Sequence, residues 1–206
     1  EVYWRTYSLT EHLREALDGL RTRMRVPVVE HSLPIPYRET IRRHGTHHAR
    51  HKRQSGGHGQ FGDVVMEVRP LPRGQGFSFH SAVVGGAVPR QYVPAVEEGV
   101  LEGLRRGPLG FPVVDVAVTL TGGTYHSVDS SDQAFRTAAR LAMAEALPKL
   151  EPVLLEPILR VELHIPREAT ARAQRLVTAR RGQLLGFDAD LELPGWEIIT
   201  AYMPQA

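Results

Sequence analysis

Short stretches in which apolar and polar residues alternate recur along this chain, separated by stretches with helical periodicity. Apolar residues occupy every second position in 63–69 and in 114–120, the spacing that predicts a strand with one buried face. In 93–104 and 130–146 they recur at intervals of three or four residues, the spacing of an amphipathic helix. Strands and helices in this order predict an α+β domain, in which helices cover the apolar face of a sheet.

Local signals refine this order. A further extended stretch is predicted at Phe77–Val84, before the first of the two helices. Pro94 suits the first turn of a helix that begins near Val93, because proline is tolerated there. Ser130 and Gln133 form a capping-box pattern, which predicts Ser130 as the N-cap of the second helix.

Prolines also mark the expected domain boundaries. The sequence LPIP at Leu33–Pro36 can continue neither a helix nor a strand comfortably, so we place one boundary there. A second boundary is expected near Pro152, and the α+β domain therefore occupies residues 38–153. Residues 1–37 contain one predicted helix and only short extended stretches. That is too little for an independent core, and we interpret this segment as the end of a domain that begins upstream.

The last segment, 154–206, has a pattern of its own. Alternation at 159–163 predicts a strand, and a helix is predicted over 167–181. Two more extended stretches, 188–193 and 196–203, follow it. Strand, helix, strand, strand is one helix and one strand short of a ferredoxin-like unit, so we expect a partial domain of that class.

Composition excludes several classes of site. The 206 residues include no cysteine, which removes disulfides, thiolate zinc sites and cysteine nucleophiles. No apolar run is long enough to span a membrane, so no membrane partner is expected. The formal net charge is only +2, but Arg42–Arg53 holds five Arg or Lys residues and four His residues without an acid. Such a concentration of positive charge indicates a local surface that faces an anion.

The stretch QSGGHGQFG at 54–62 follows this basic segment. Its composition allows four interpretations: a phosphate-binding loop, a metal site, a solvated loop, or a loop that contacts nucleic acid. A phosphate-binding loop is excluded because its lysine and hydroxyl residue are missing and because a strand, not a helix, follows. The imidazoles of His44, His47, His48 and His51 would share one face of a helix, but no acid completes a metal site and the nearby cations oppose one. A solvated loop and a loop that contacts nucleic acid both remain open.

Seven blocks then carry a resemblance to the C-terminal half of bacterial elongation factor G. They occur in the family's order and at its spacings: PYRETI (36–41), RQSGGHGQFGDVVMEVRPL (53–71), VGGAVPRQYVPAVEEG (84–99), GFPVVDVAVTL (110–120), GGTYHSVDSSDQAF (122–135), PVLLEPILRVEL (152–163) and RRGQLLGF (180–187). The agreement covers nearly the whole chain and is far more specific than any single motif.

The resemblance implies a domain assignment. Residues 1–37 would be the end of domain III, and 38–153 would be domain IV, an α+β fold like domain 2 of ribosomal protein S5 with a left-handed β-α-β crossover. Residues 154–206 would be a truncated, ferredoxin-like domain V. The nucleotide-binding domain would lie upstream, so this segment itself would be no enzyme and hold no cofactor. GTP and magnesium would bind the missing N-terminal domain of a ribosome-stimulated GTPase.

The resemblance also implies a site, which we call the tip. It consists of a first loop, Arg53–Phe61, and a second loop, Gly122–Asp129. In the family the tip enters the decoding centre of the small ribosomal subunit during translocation of tRNA and mRNA, while domain V contacts large-subunit rRNA. RNA contacts are therefore expected from a set of tip residues: Gln54, Ser55, Gly56, Gly57, His58, Gly59, Gln60, Tyr125 and the family's functional histidine, His126.

Three cations next to the tip, Arg50, Lys52 and Arg53, are expected to contact phosphates, since Arg and Lys neutralise phosphate charge. We expect a cytoplasmic monomer without a bound metal. Three departures from the family pattern suggest a divergent paralogue: His58 in place of arginine, the histidine-rich segment before it, and REATARAQRLVTARRG (167–182) in place of the usual glycine-and-acid start of the domain V helix. The alternatives are a ribosome-recycling paralogue and a ribosomal protection protein against tetracycline, although the TYHSVDSS and QSGG blocks disfavour the latter.

Overall fold

The computed structural model of this chain describes residues 14–25, 27, 34–54 and 59–205. Two compact units are present, the central unit Tyr37–Leu155 and a second unit that contains the described residues before and after it. Helix α1 covers 14–22 of the helix predicted in the first 37 residues. The short extended stretches predicted in that segment, at 2–8 and 26–29, lie outside the described residues apart from position 27. No helix in the described part of the chain has the length and apolar character needed to cross a membrane.

The central unit combines a mixed four-stranded sheet, a separate two-stranded sheet and two helices. The large sheet has the order β2-β3-β5-β4, and only the β4–β5 pair is parallel. Helix α2 connects these two parallel strands, while β1 pairs with β6. The elements are β1 Arg38–Ile41, β2 Gly45–Arg53, β3 Gln60–Pro70, β4 Phe77–Ser81, α2 Val93–Leu104, β5 Val116–Thr124, α3 Asp132–Ala146 and β6 Pro152–Leu155. The predicted α+β class is confirmed.

The core lies between one face of this sheet and the two helices. Val64, Met66, Val68, Val116, Val118 and Leu120 are all buried in it, together with Val96, Val100 and Phe135 from the helices. Helices α2 and α3 pack closely, because a Cβ atom on Gly99 would lie 2.2 Å from the carbonyl oxygen of Arg136. The period-two and helical patterns therefore identified the core correctly.

The second unit contains a three-stranded antiparallel sheet with the order β7-β9-β8. Its elements are β7 Ile158–Pro166, α4 Thr170–Ala179, β8 Gln183–Ala189 and β9 Trp196–Pro204, so the predicted sequence of strand, helix, strand and strand is confirmed. The strand predicted at 188–193 was misplaced, because β8 ends at Ala189. The carboxylate of the next residue, Asp190, accepts hydrogen bonds from the amides of Glu192 and Leu193 and so turns the chain there.

The largest correction concerns the basic segment. A solvated loop was one interpretation of it, but Gly45–Arg53 forms strand β2 and pairs with β3 along its whole length, from Gly45 opposite Val68 to Arg53 opposite Gln60. Two smaller corrections are local. Ser131, not Ser130, is the N-cap of α3, since its hydroxyl accepts a hydrogen bond from the amide of Ala134. Strand β5 runs to Thr124, beyond the predicted end at 120.

Candidate RNA-contacting tip

The sheet topology brings the two tip loops together. Strand β3 is antiparallel to β2 on one side and to β5 on the other, with Gln60 opposite Arg53 and Asp63 opposite Thr124. The end of β2, the start of β3 and the end of β5 therefore meet at one edge of the sheet. Both loops leave the central unit from this edge, and the sheet pairing alone makes them neighbours.

Hydrogen bonds join the two loops directly. The amide of Phe61 donates to the carbonyl oxygen of Asp129 at 2.8 Å. In return, the hydroxyl of Ser130, directly after the second loop, donates to the carbonyl oxygen of Phe61 at 2.9 Å. Gly59 packs directly against the second loop, since a Cβ atom there would lie 2.7 Å from the carboxyl carbon of Asp129. These contacts hold the base of the tip as one structure.

The side chain of His126 is 53% exposed and is oriented by its own turn. Its backbone amide donates to the hydroxyl of Ser130 at 2.9 Å. Its Nδ1 atom accepts hydrogen bonds from the amides of Val128, at 3.3 Å, and Asp129, at 3.1 Å. The ring also lies 6.2 Å from the ring of Phe61, measured between centroids. Nδ1 is thus occupied within the protein, while Nε2 bonds to no described residue.

The other predicted contact residues differ in how exposed they are and in whether their side chains already form hydrogen bonds within the protein. Tyr125 is 50% exposed, and Gln54 is also exposed. Gln60 is partly committed, since its side-chain oxygen lies 2.9 Å from Nε2 of His51 on the neighbouring strand. Gly59 is half-buried against the second loop. The remaining predicted residues, Ser55, Gly56, Gly57 and His58, lie outside the described residues.

The three predicted phosphate-contacting cations are not equivalent. The Nε atom of Arg50 donates to the carboxylate of Asp63 at 2.6 Å, and its guanidinium lies 6.0 Å from the centroid of the Phe61 ring. One of its donors is therefore already engaged by Asp63. Lys52 and Arg53 are exposed, and neither forms an ion pair with another described residue. These two side chains are the ones available to an external anion.

Asp63 on strand β3 holds strand β2 through the side chains of His48 and Arg50. It is only 2% exposed, and its Oδ2 atom lies 3.0 Å from Nε2 of His48 as well as 2.6 Å from Nε of Arg50. Burial disfavours the charged carboxylate, but the hydrogen bonds from Arg50 and His48 outweigh it and lower the pKa of Asp63. An ionised Asp63 thus compensates part of the positive charge of β2.

Strand geometry also separates the histidines. Neighbouring residues of β2 point to opposite sides of the sheet, so His47 and His48 lie on different faces. His47 contacts the carboxylate of Glu145 on α3 at 2.9 Å, whereas His48 contacts Asp63. Because this segment is a strand, the histidines do not share the helical face that a four-histidine metal site would need. Across the part of the chain that the structure describes, no three potential ligands cluster in a way that could hold a metal ion.

Sequence reasoning missed the residues that organise the tip, namely Asp63, Asp129 and Ser130. One signal was present for Asp63, an acid at the start of an otherwise apolar strand beside a basic segment. No comparable local signal exists for Ser130, because its partner Phe61 is 69 residues away.

The chain is similar to known proteins over most of its length. The sequence model of elongation factor G, domain IV, matches residues 34–150. An elongation factor G-like protein of Synechocystis sp. is 53% identical over 195 residues, which are 95% of this chain and 29% of that protein. A crystal structure from Thermus thermophilus superposes with a TM-score of 0.77 at 38% identity, covering 85% of this chain and 26% of the other. The chain spans less than a third of these relatives. It belongs to the elongation factor G family and contains the domain IV of that family.

Proposed function

We propose that this chain is the ribosome-contacting part of an elongation factor G-like GTPase and that its tip enters the decoding centre to promote translocation of tRNA and mRNA. The observation that carries the proposal is the construction of the tip. Two loops are joined at their base by backbone and Ser130 hydrogen bonds, while Nε2 of His126 and the charges of Lys52 and Arg53 face outward. A tip of this kind can contact RNA without first breaking internal bonds.

The exposed groups match the chemistry of an RNA duplex. The shallow groove of A-form RNA displays 2′-hydroxyls and phosphates, which accept hydrogen bonds from an imidazole N–H. The half-exposed ring of Tyr125 can stack on a base or a ribose. Lys52 and Arg53 lie at the end of β2, next to the first loop, where they can neutralise phosphates. In this proposal the tip contacts the codon–anticodon helix and weakens its hold on the decoding site.

The other parts of the proposal follow from the family. GTP and magnesium bind a domain of the whole protein that lies outside this chain, and GTP is hydrolysed there. Domain V, which we assign to 154–206, contacts large-subunit rRNA, and residues before 38 belong to domain III. The whole factor works as a cytoplasmic monomer.

The test uses the full-length protein with His126→Ala. We expect slower movement of tRNA and mRNA in a single-round translocation assay, together with nearly unchanged ribosome-stimulated GTP hydrolysis. Ser127→Ala is the matched control, because Ser127 is exposed in the same turn and its hydroxyl bonds to no described residue. Normal translocation by the His126→Ala protein would refute the proposal.

A second candidate, ribosome recycling, is favoured by one sequence observation. The family's usual arginine in the QSGG block is His58 here, which replaces a permanent charge with one that titrates. A subunit-splitting assay on the same two variants separates the functions. If His126→Ala leaves translocation intact but abolishes splitting of ribosomes into subunits, the recycling function is supported instead.

A further inference from the structure

Ser130 occupies a position that links the two tip loops through a single hydroxyl group. The Oγ atom accepts a hydrogen bond from the amide of His126 at 2.9 Å and donates one to the carbonyl oxygen of Phe61 at 2.9 Å. A hydroxyl has one proton to donate, so these two bonds fix its orientation. The backbone of Ser130 adds a third contact, because its amide donates to the carbonyl oxygen of His126 at 3.1 Å. The turn that carries His126 is thereby closed onto the first loop.

The same turn determines where the proton of neutral His126 lies. The amides of Val128 and Asp129 both point at Nδ1, and an amide N–H can only donate. Nδ1 must therefore be the unprotonated, accepting nitrogen, which places the ring proton on Nε2. One group competes, since Oδ2 of Asp129 lies 3.3 Å from Nδ1 and would favour a proton there. Two donors at 3.1 and 3.3 Å oppose that arrangement.

We propose that Ser130 is a positioning residue that fixes the tautomer of His126, so that the tip presents Nε2–H as a hydrogen-bond donor to an acceptor oxygen of the RNA backbone. The recognition of RNA in this statement rests on the proposed function, whereas the tautomer does not. An Nε2–H group can donate a hydrogen bond to phosphate and ribose oxygens.

The tautomer can be measured in this chain by NMR after labelling histidine with ¹⁵N, at roughly pH 8 where imidazoles are neutral. The chemical shifts of the two ring nitrogens show which one carries the proton, and His126→Gln identifies the signals. We expect His126 to carry its proton on Nε2. A proton on Nδ1, donated to Asp129, would overturn the proposal.

Three serine variants test the positioning role in the same spectra. Ser130→Ala should shift the tautomer populations toward those of histidine in a short peptide, with loss of the protected His126 amide. Ser130→Thr retains the hydroxyl and should restore both signals. Ser127→Ala should change neither, and amide signals outside the tip should remain in place in all three. An unchanged tautomer in Ser130→Ala with that fold intact would contradict the role.

Two substitutions in the full-length protein distinguish the outward donor at Nε2 of His126 from the acceptor at Nδ1, which the turn amides use. The side-chain oxygen of Asn lies near the position of Nδ1 and can accept the turn amides, whereas the amide nitrogen of Gln lies near Nε2 and can donate outward. We expect His126→Gln to retain more translocation activity than His126→Asn, and the reverse order would overturn the donor assignment. If both variants translocate normally while the tautomer is as expected, the proposed function fails and the positioning role of Ser130 stands.

Discussion

Replacing Asp63 by Asn is expected to destabilise the central unit by about 1–2 kcal/mol at neutral pH. The substitution keeps the shape of a buried side chain but removes the charge that accepts hydrogen bonds from Arg50, at 2.6 Å, and His48, at 3.0 Å. A hydrogen bond to a charged group contributes about 1 kcal/mol more than a neutral one, so two such bonds give about 2 kcal/mol. The value is reduced because Arg50 and His48 are each 53% exposed and can be hydrated instead.

The pH dependence of this effect has a defined sign. The hydrogen bonds from Arg50 and His48 lower the pKa of Asp63 below its ordinary value of 3.8, although burial acts in the opposite direction. A lowered pKa in the folded state contributes stability above the unfolded value, and this stability is lost as the pH falls through the folded value. The difference between wild type and Asp63→Asn should therefore be present above pH 3.8 and should decline as the pH falls below that value.

The measurement combines urea unfolding with hydrogen exchange. Circular dichroism reports both units, so exchange of the β2 and β3 amides is needed to assign the loss to the central unit. Glu67→Gln is the matched control, because Glu67 lies on the same strand and forms no ion pair with another described residue. Equal stability of Asp63→Asn and wild type at neutral pH, or a difference that does not decline as the pH falls below 3.8, would show that the charged hydrogen bonds do not hold β2.

Three further predictions concern separate parts of the molecule. Gly99→Ala should destabilise the central unit by about 1–3 kcal/mol in urea unfolding, because its new Cβ atom would meet the carbonyl oxygen of Arg136 at 2.2 Å. Lys52→Ala with Arg53→Ala should weaken ribosome binding of the chain and lower the slope of log K against log salt by roughly one unit for each phosphate that is no longer neutralised. Asp190→Asn should speed amide exchange in the turn that this residue caps and leave exchange in β2 unchanged, since its hydrogen bonds are confined to the second unit.

The sequence predicted those elements in which the spacing of the apolar residues itself indicates the buried face. The buried residues Val64, Met66 and Val68 alternate in β3, those of α3 recur at helical spacing, and both elements formed close to the predicted positions. Strand β2 could not be found in this way, because Ala49 is its only apolar residue. Within this strand, His47 bonds to Glu145 on α3, and His48 and Arg50 on the opposite face bond to Asp63 on β3. The strand therefore depends on partners that are distant in the sequence. Period-two hydrophobicity does not detect a strand held by polar contacts.

The tip, too, was only partly predictable, because the contacts that hold it join residues distant in the sequence. The position of its two loops followed from the resemblance to the family, and the assignment of His126 came from the same source. What the sequence did not indicate is the network beneath, in which Phe61 contacts Asp129 and Ser130 across almost 70 residues. Such contacts depend on the register between β3 and β5, and the β-bulge between Val65 and Met66 shifts that register in a way that no local pattern reveals.

At the base of the tip, the groups that bond within the protein differ from the groups that remain exposed. Ser130, the backbone of Asp129 and Nδ1 of His126 find their partners within the protein, and so does Nε of Arg50. The groups without described partners, Nε2 of His126 and the side chains of Lys52 and Arg53, are the donors and cations that RNA requires. Because the internal bonds are already made, the RNA contact that we propose would not have to order the described base of the tip again, which reduces the entropic cost of binding there.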